Sequence, residues 1–195
     1  DIQYEAETDN DDCKYDQPLL FNLEGDAGNN SGHLLMVDAD YYTPVDSTFM
    51  TTGEIVPVEG TPMDFRTPTP VGERINDYDF VQLKNGNGYD HNWVLNTKGD
   101  VTRKCASLKS PKTGIVLDVY TNEPGIQVYA GNFLDGSLTG KERHYLQPTR
   151  FRMSRNTEIS GYSEQTGMAV GCTSPGRKVY KPMYLQILCR QIMDL

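Results

Sequence analysis

The chain has 195 residues, of which 37% are hydrophobic, and a formal net charge of −9 at pH 7. This length can bury one core, so we expect a single domain over residues 1–195. The sequence has no basic stripe, and this excludes a nucleic-acid surface. No apolar run approaches the roughly 20 residues that span a bilayer and no leader opens the chain, so we expect no membrane partner and a cytoplasmic location.

The first residues alternate between apolar and polar side chains. Ile2, Tyr4 and Ala6 are separated by single polar residues, which is the period of a half-buried strand. Residues 9–12 form an acidic cluster without the remaining ligand spacing of a calcium loop. We therefore interpret the cluster as a solvated turn.

Short β-like runs dominate the chain from residue 32 onward. Residues 33–39, 54–58, 115–121 and 126–130 are β-branched or alternating, and Gly, Pro, Asn and Asp separate them. No stretch keeps an apolar period of 3.6 residues for three helical turns, so the pattern predicts an all-β sandwich or barrel. Within the last run, alternation turns Gln127 away from its apolar neighbours.

Residues 88–96, G-Y-D-H-N-W-V-L-N, follow a turn-forming stretch at residues 85–87. They combine an acid, an imidazole, two amides and two aromatic rings. This combination suits a sugar, because carboxylate and amide groups hold hydroxyls while the apolar ring face lies on an aromatic side chain. The alternative is a loop whose Asp and Asn side chains satisfy their own backbone, and these residues alone do not decide between the two.

Four motifs, in order, resemble the galactose mutarotases (aldose 1-epimerases). Residues 41–46 read Y-Y-T-P-V-D and residues 52–66 read T-G-E-I-V-P-V-E-G-T-P-M-D-F-R. Residues 88–93 read G-Y-D-H-N-W and residues 117–136 read L-D-V-Y-T-N-E-P-G-I-Q-V-Y-A-G-N-F-L-D-G. The resemblance implies a large antiparallel β-sandwich of the galactose mutarotase-like type, of which this chain is a part.

The same resemblance assigns roles in a sugar site. It implies that Asp90 binds the hydroxyls of a hexose and that Gln127 adds an amide contact. Tyr89 or Trp93 is a weaker candidate for a ring platform. Alternation points His91 away from the sugar, so we favour a structural hydrogen bond for it.

Two segments depart from the family pattern. Residues 16–23 read D-Q-P-L-L-F-N-L, so Pro18 stands where the family has its general-acid His. After residue 150 the resemblance stops, and with it the Glu that serves as the catalytic base. No residue of the written chain therefore matches the catalytic acid or base. The resemblance also predicts that the N-terminal third of the family domain is missing.

A reading-frame error explains both departures. Codons that encode residues 152–169, read from their second base, permit G-C-L-E-T-Q-K-F-P-D, the family's base motif. Codons for residues 15–21 permit M-T-N-H-S-Y in the same way. We predict that residues 151–195 are misread, and that the written stretch is poorly packed or irregular because its Arg residues replace an inward-alternating strand. The alternative is a diverged protein.

Anomer interconversion is the activity that the resemblance implies. A base removes the anomeric proton while an acid protonates the ring oxygen; the ring opens, C1–C2 rotates, and the ring closes on the other face. The predicted substrates are galactose and glucose, with no cofactor and no metal, and the oligomeric state is open. The alternative function is a non-catalytic carbohydrate-binding or sugar-sensing protein on the same fold.

Cysteines and isolated histidines give no further site. Cys13, Cys105, Cys172 and Cys189 lack metal-ligand spacing, so we expect free thiols. His33 and His144 have no partner at metal or triad spacing and are predicted to lie on the surface.

Overall fold

A computed structural model of the chain describes residues 6–7, 19–24, 30–133, 151–154, 178–179 and 185–191. Strands are the main secondary structure of these residues, and the helical elements among them are α1 (Val81–Gly86) and two 3-10 turns at Asn30–Gly32 and Val71–Glu73. The strands are β1 (Ala6–Glu7), β2 (Leu19–Phe21), β3 (Leu34–Val37), β4 (Tyr41–Thr43), β5 (Val56–Pro57), β6 (Thr69–Pro70), β7 (Asp90–Val94), β8 (Ala106–Lys109), β9 (Ile115–Thr121), β10 (Gly125–Tyr129), β11 (Phe151–Ser154), β12 (Lys178–Val179) and β13 (Leu185–Gln191).

The described strands pair in three sheets, and every pairing is antiparallel. A six-stranded sheet has the order β2-β11-β10-β7-β4-β5, and a five-stranded sheet has the order β13-β9-β8-β3-β6. The third sheet is the pair β1-β12. The six-stranded sheet places β7 and β10, which carry the predicted sugar-site residues, beside each other.

One hydrophobic core joins the two large sheets. Leu35 and Leu108 contribute to it from the five-stranded sheet, and Trp93 and Val128 contribute from the six-stranded sheet; all four are fully buried. Two antiparallel sheets that share one apolar layer form a sandwich. The predicted fold class is therefore confirmed.

Two strands lie where the sequence predicts them, or within one residue of that position. β9 has the bounds that the sequence predicts, and β10 is displaced by one residue from the predicted run 126–130. Helix α1 escaped prediction because six residues are too few to show an apolar period over three turns. None of the helices in the described part of the chain could span a membrane.

The stretch after residue 150 contains strands in its described parts. β11 pairs with β10 and β2, and β13 pairs with β9 over seven residues, Leu185–Gln191. These residues are not irregular, because the open edges of β9 and β10 supply partners for short β-forming runs, whereas the predicted poor packing stays a prediction. The frame error itself stays a prediction, and residues 9–18 lie outside the described residues.

The prediction that His33 lies on the surface is wrong. His33 is fully buried, and its Nε2 accepts a hydrogen bond of 3.1 Å from the backbone N–H of Leu23. A neutral imidazole that forms a hydrogen bond can be buried, and sequence spacing carries no information about such a partner. His144 lies outside the described residues.

Cys105 is a buried free thiol, and its Sγ lies 3.2 Å from the carbonyl oxygen of Val119. Burial raises the pKa of this thiol to about 12. The thiol is therefore protonated and unreactive in the folded protein. Cys13 and Cys172 lie outside the described residues.

Candidate functional site

Three residues connect the end of helix α1 to the start of strand β7. Asn87 caps the helix in the left-handed region with φ 51°, and Gly88 follows with φ 123°. A Cβ at Gly88 would lie 2.5 Å from Oδ1 of Asn132, so only glycine fits beside this amide. Asn132 in turn donates to the backbone carbonyls of Gly86 and Tyr89 at 3.0 and 2.8 Å. These contacts fix the point at which Asp90 enters the sheet.

Asp90 and Gln127 lie on neighbouring strands and contact each other. The β7–β10 register pairs Asp90 with Tyr129 and Asn92 with Gln127. Gln127 Nε2 donates to Asp90 Oδ1 over 2.8 Å, and both residues are partly exposed. The structure thus brings together the two residues that the resemblance assigns to the sugar.

The face of the sheet that carries these two side chains is opposite the core. Ile126 and Val128 alternate with Gln127 along β10 and pack into the hydrophobic core. Successive side chains of a strand point to opposite faces, so Gln127 faces away from that core. The predicted orientation of Gln127 is confirmed.

Tyr89 and Trp93 do not form a ring platform. Both are fully buried in the aromatic core beside Phe65, with ring centroids 5.1 and 6.0 Å from it. The Tyr89 hydroxyl donates to the carbonyl of Pro62 at 3.0 Å, and the Trp93 indole N–H donates to that of Met63 at 2.9 Å. The prediction is wrong because loop 61–66 covers both rings, a contact 27 to 30 residues away in sequence.

His91 is buried on the core face, as alternation predicts. Its ring makes edge contacts with Tyr42, Phe49 and Trp93 at centroid distances of 6.3 to 6.5 Å. Its Nδ1 accepts a hydrogen bond of 3.2 Å from the backbone N–H of Asp90, which confirms the structural hydrogen bond. Burial lowers the pKa of His91 to about 4, so the ring is neutral at pH 7.

Asn92 adds a buried amide on the same face as Asp90. It is 4% exposed, and neither Oδ1 nor Nδ2 has a hydrogen-bond partner in the described structure. A Cβ at Gly125 would lie 2.6 Å from its Oδ1, so the missing side chain of Gly125 makes room for the amide. Sequence reasoning assigned Asn92 no role of its own, although it belongs to the motif at residues 88–93.

An exposed aromatic ring lies near the end of β10. Phe133 is 61% exposed, and its ring lies at 15° to that of Tyr129, with centroids 6.3 Å apart. The Tyr129 hydroxyl accepts the backbone N–H of Phe133 at 2.8 Å, and Tyr129 is the cross-strand partner of Asp90. The motif at residues 117–136 contains both residues, but their stacking has no signal in the sequence.

The described residues carry no metal-binding group of three or more His, Cys, Asp or Glu side chains. The arrangement on this face is a carboxylate held by an amide of the neighbouring strand. A carboxylate has about four acceptor sites, which suits recognition of a group rich in hydroxyls.

Comparison with known proteins identifies the family. The sequence profile of the aldose 1-epimerase family matches residues 1–173. The chain belongs to the aldose 1-epimerase family. It is 45% identical over 123 residues to a human galactose mutarotase, a match that covers 62% of this chain and 34% of the relative. An aldose 1-epimerase of Escherichia coli is 37% identical over 120 residues, covering 61% of this chain and 34% of that protein.

Solved structures support the same fold. A galactose 1-epimerase from Lactobacillus acidophilus superposes with a TM-score of 0.66 at 27% identity, over 87% of this chain and 47% of the other. An aldose epimerase homologue from C. elegans superposes with a TM-score of 0.72 at 24% identity, over 89% of this chain and 50% of the other. At this identity the superposition supports the fold and no more. The matches to the human and Escherichia coli relatives span about a third of the length of those proteins.

Proposed function

We propose that this chain carries the hexose-binding face of an aldose 1-epimerase, and that Asp90 and Gln127 contact the sugar. The observation that supports the proposal most strongly is the hydrogen bond of 2.8 Å between these two residues, within the motifs that the family shares. In this proposal galactose and glucose are the substrates. The cytoplasmic location stays a prediction.

Each of the two residues has a distinct task. The Asp90 carboxylate accepts hydrogen bonds from sugar hydroxyls, and a charged acceptor makes these bonds about twice as strong as neutral ones. Gln127 donates to one carboxylate oxygen and thereby fixes the direction of the other. The two carboxylate oxygens, held in fixed positions, keep the hexose in one orientation. A reaction that opens and recloses the ring at C1 requires such an orientation.

The acid and the base of the reaction are not assigned to described residues. General acid–base catalysis contributes about 100- to 10,000-fold in rate, so the two groups are essential for turnover. We propose that they belong to the segments in which the written sequence departs from the family, around residues 13–20 and after residue 150. Tandem mass spectrometry of the natural protein tests this. Peptides containing T-N-H-S-Y and C-L-E-T-Q support it, whereas recovery of the written peptide at residues 156–162 contradicts it.

Polarimetry tests the activity. Protein produced from the natural gene should accelerate the mutarotation of freshly dissolved α-D-galactose over buffer, at a rate proportional to protein concentration. Calorimetry with galactose on the same sample separates the outcomes. Binding without acceleration would support a carbohydrate-binding protein instead, and the lack of both binding and acceleration would refute the proposal.

A further inference from the structure

The backbone of Asp90 lies where the ladder between β4 and β7 has ended. The last pair in this ladder is Thr43 with Asn92. Tyr89 forms its backbone hydrogen bond with Ala130 of the β10 side, at 2.9 Å. Because N–H groups alternate in direction along a strand, the N–H of Asp90 points to the β4 side, past the end of that strand.

The residue that would continue the ladder is unable to do so. Extended by two residues, the register places Val45 opposite Asp90. The backbone of Val45 is already occupied by Gln82 of α1, which accepts from its N–H at 2.7 Å and donates to its carbonyl at 3.1 Å. Asn85 donates to the same carbonyl at 3.1 Å. The N–H of Asp90 therefore needs an acceptor from elsewhere.

His91 supplies that acceptor. Its Nδ1 lies 3.2 Å from the Asp90 nitrogen. The ring has little freedom to turn away, since three aromatic rings surround it and a Cβ at Gly86 would lie 3.1 Å from its Cε1. We infer that His91 is a positioning residue, which fixes the backbone of Asp90 from the core side while Gln127 fixes the carboxylate from the opposite face.

The environment of the second ring nitrogen supports a role beyond packing. An Nδ1 that accepts a hydrogen bond requires the neutral tautomer with its proton on Nε2. That Nε2 is buried without a hydrogen-bond partner among the described residues. A phenyl ring would fill the same space without the cost of an unpaired N–H, so the fold keeps the imidazole at a cost in stability. Among the described contacts of the His91 ring, the hydrogen bond from the Asp90 N–H is the one that a phenyl ring could not make.

Substitutions of His91 test the inference, which rests on the proposed function for its sugar readout. His91→Phe fills the cage but removes the acceptor. His91→Asn keeps an oxygen near the position of Nδ1, and His91→Gln is the matched control because its amide extends toward the position of Nε2. We expect galactose Kd to rise about 3- to 10-fold in the Phe and Gln variants and less in the Asn variant, as for the loss of one hydrogen bond.

A double-mutant cycle shows whether His91 acts through Asp90. His91→Phe should have no further effect on galactose Kd once Asp90→Asn is present. An equal loss in both backgrounds, or a wild-type Kd in His91→Phe, would overturn the inference. Thermal unfolding of every variant identifies those that lose affinity because they unfold.

The tautomer of His91 gives a readout that requires no sugar and no variant. Long-range ¹H–¹⁵N correlation at pH 7 should show Nδ1 unprotonated and Nε2 protonated. Protonation at Nδ1 would overturn the inference whether or not the protein binds galactose. Failure of the wild-type protein to bind any hexose would instead overturn the proposed function, so the two failures are distinguishable.

Discussion

Replacing Asp90 by Asn removes the negative charge of the site and leaves its shape unchanged. The Asn oxygen can still accept the bond of 2.8 Å that Gln127 Nε2 donates. We therefore expect only a small change in stability, within about 1 kcal/mol. Bonds to a charged acceptor contribute about 1 to 1.5 kcal/mol more than neutral ones, so two sugar hydroxyls would lose about 2 to 3 kcal/mol. This corresponds to an increase in galactose Kd of roughly 30- to 150-fold.

Calorimetric titration with galactose measures this change, and the chain offers a matched control. Asp38 is also a partly buried carboxylate bonded to an amide, with its Oδ1 3.0 Å from Nδ2 of Asn96. Its other oxygen pairs with Arg103 at 3.0 Å. Asp38→Asn should leave galactose affinity unchanged. A wild-type Kd in Asp90→Asn, or an equal loss in Asp38→Asn, would refute the assignment of Asp90 to the sugar.

Three further predictions concern the packing behind the site. Tyr89→Phe should lower the free energy of unfolding by about 1 to 2 kcal/mol, because it removes a buried hydrogen bond. The control Tyr78→Phe, at an exposed position, should change the free energy of unfolding by less than about 0.5 kcal/mol. Equal urea midpoints of the two variants would contradict this prediction. Gly125→Ala should lower the free energy of unfolding by about 1 to 3 kcal/mol, because its Cβ would lie 2.6 Å from an amide oxygen of β7. Gly32→Ala serves as the control, since nothing lies within 4 Å of a Cβ at that position. An unchanged stability of Gly125→Ala would contradict the prediction and show that the amide moves freely. Burial lowers the pKa of His91 to about 4, so the unfolded chain binds one more proton than the folded chain between pH 6.5 and 4, and the free energy of unfolding should fall by up to about 3 kcal/mol as the pH is lowered through that window. Urea titrations at several pH values should show this contribution missing in His91→Phe. The same dependence of unfolding free energy on pH in the wild type and in His91→Phe would contradict it.

Alternation along the strands let the sequence predict which side chains share a face. In β10 the apolar residues Ile126 and Val128 reach the core while Gln127 does not, and in β7 the side chain of His91 lies on the core face, opposite the face that carries the Asp90 carboxylate. These orientations follow from a period of two, which a sequence displays directly. The contact between Asp90 and Gln127 needed the family resemblance, because nothing local shows which strands are neighbours.

Features made by distant contacts escaped the sequence analysis. Tyr89 was a candidate platform, yet its hydroxyl bonds to the carbonyl of Pro62, 27 residues earlier. The burial of His33 likewise depends on the backbone of Leu23. An aromatic or imidazole group has both an apolar body and a polar group, so the same residue suits a core or a site, and only the position of its partner decides.

The proposed hexose site lies on the face of the six-stranded sheet that carries Asp90 and Gln127. Titration of ¹⁵N-labelled protein with galactose, followed by ¹H–¹⁵N correlation spectra, tests it directly. We expect saturable shifts of the Gln127 side-chain NH₂ and of the Asp90 backbone amide, with little change at Leu35 and Leu108 in the five-stranded sheet. Saturable shifts that leave Asp90 and Gln127 unaffected, or no shifts at any galactose concentration, would contradict it.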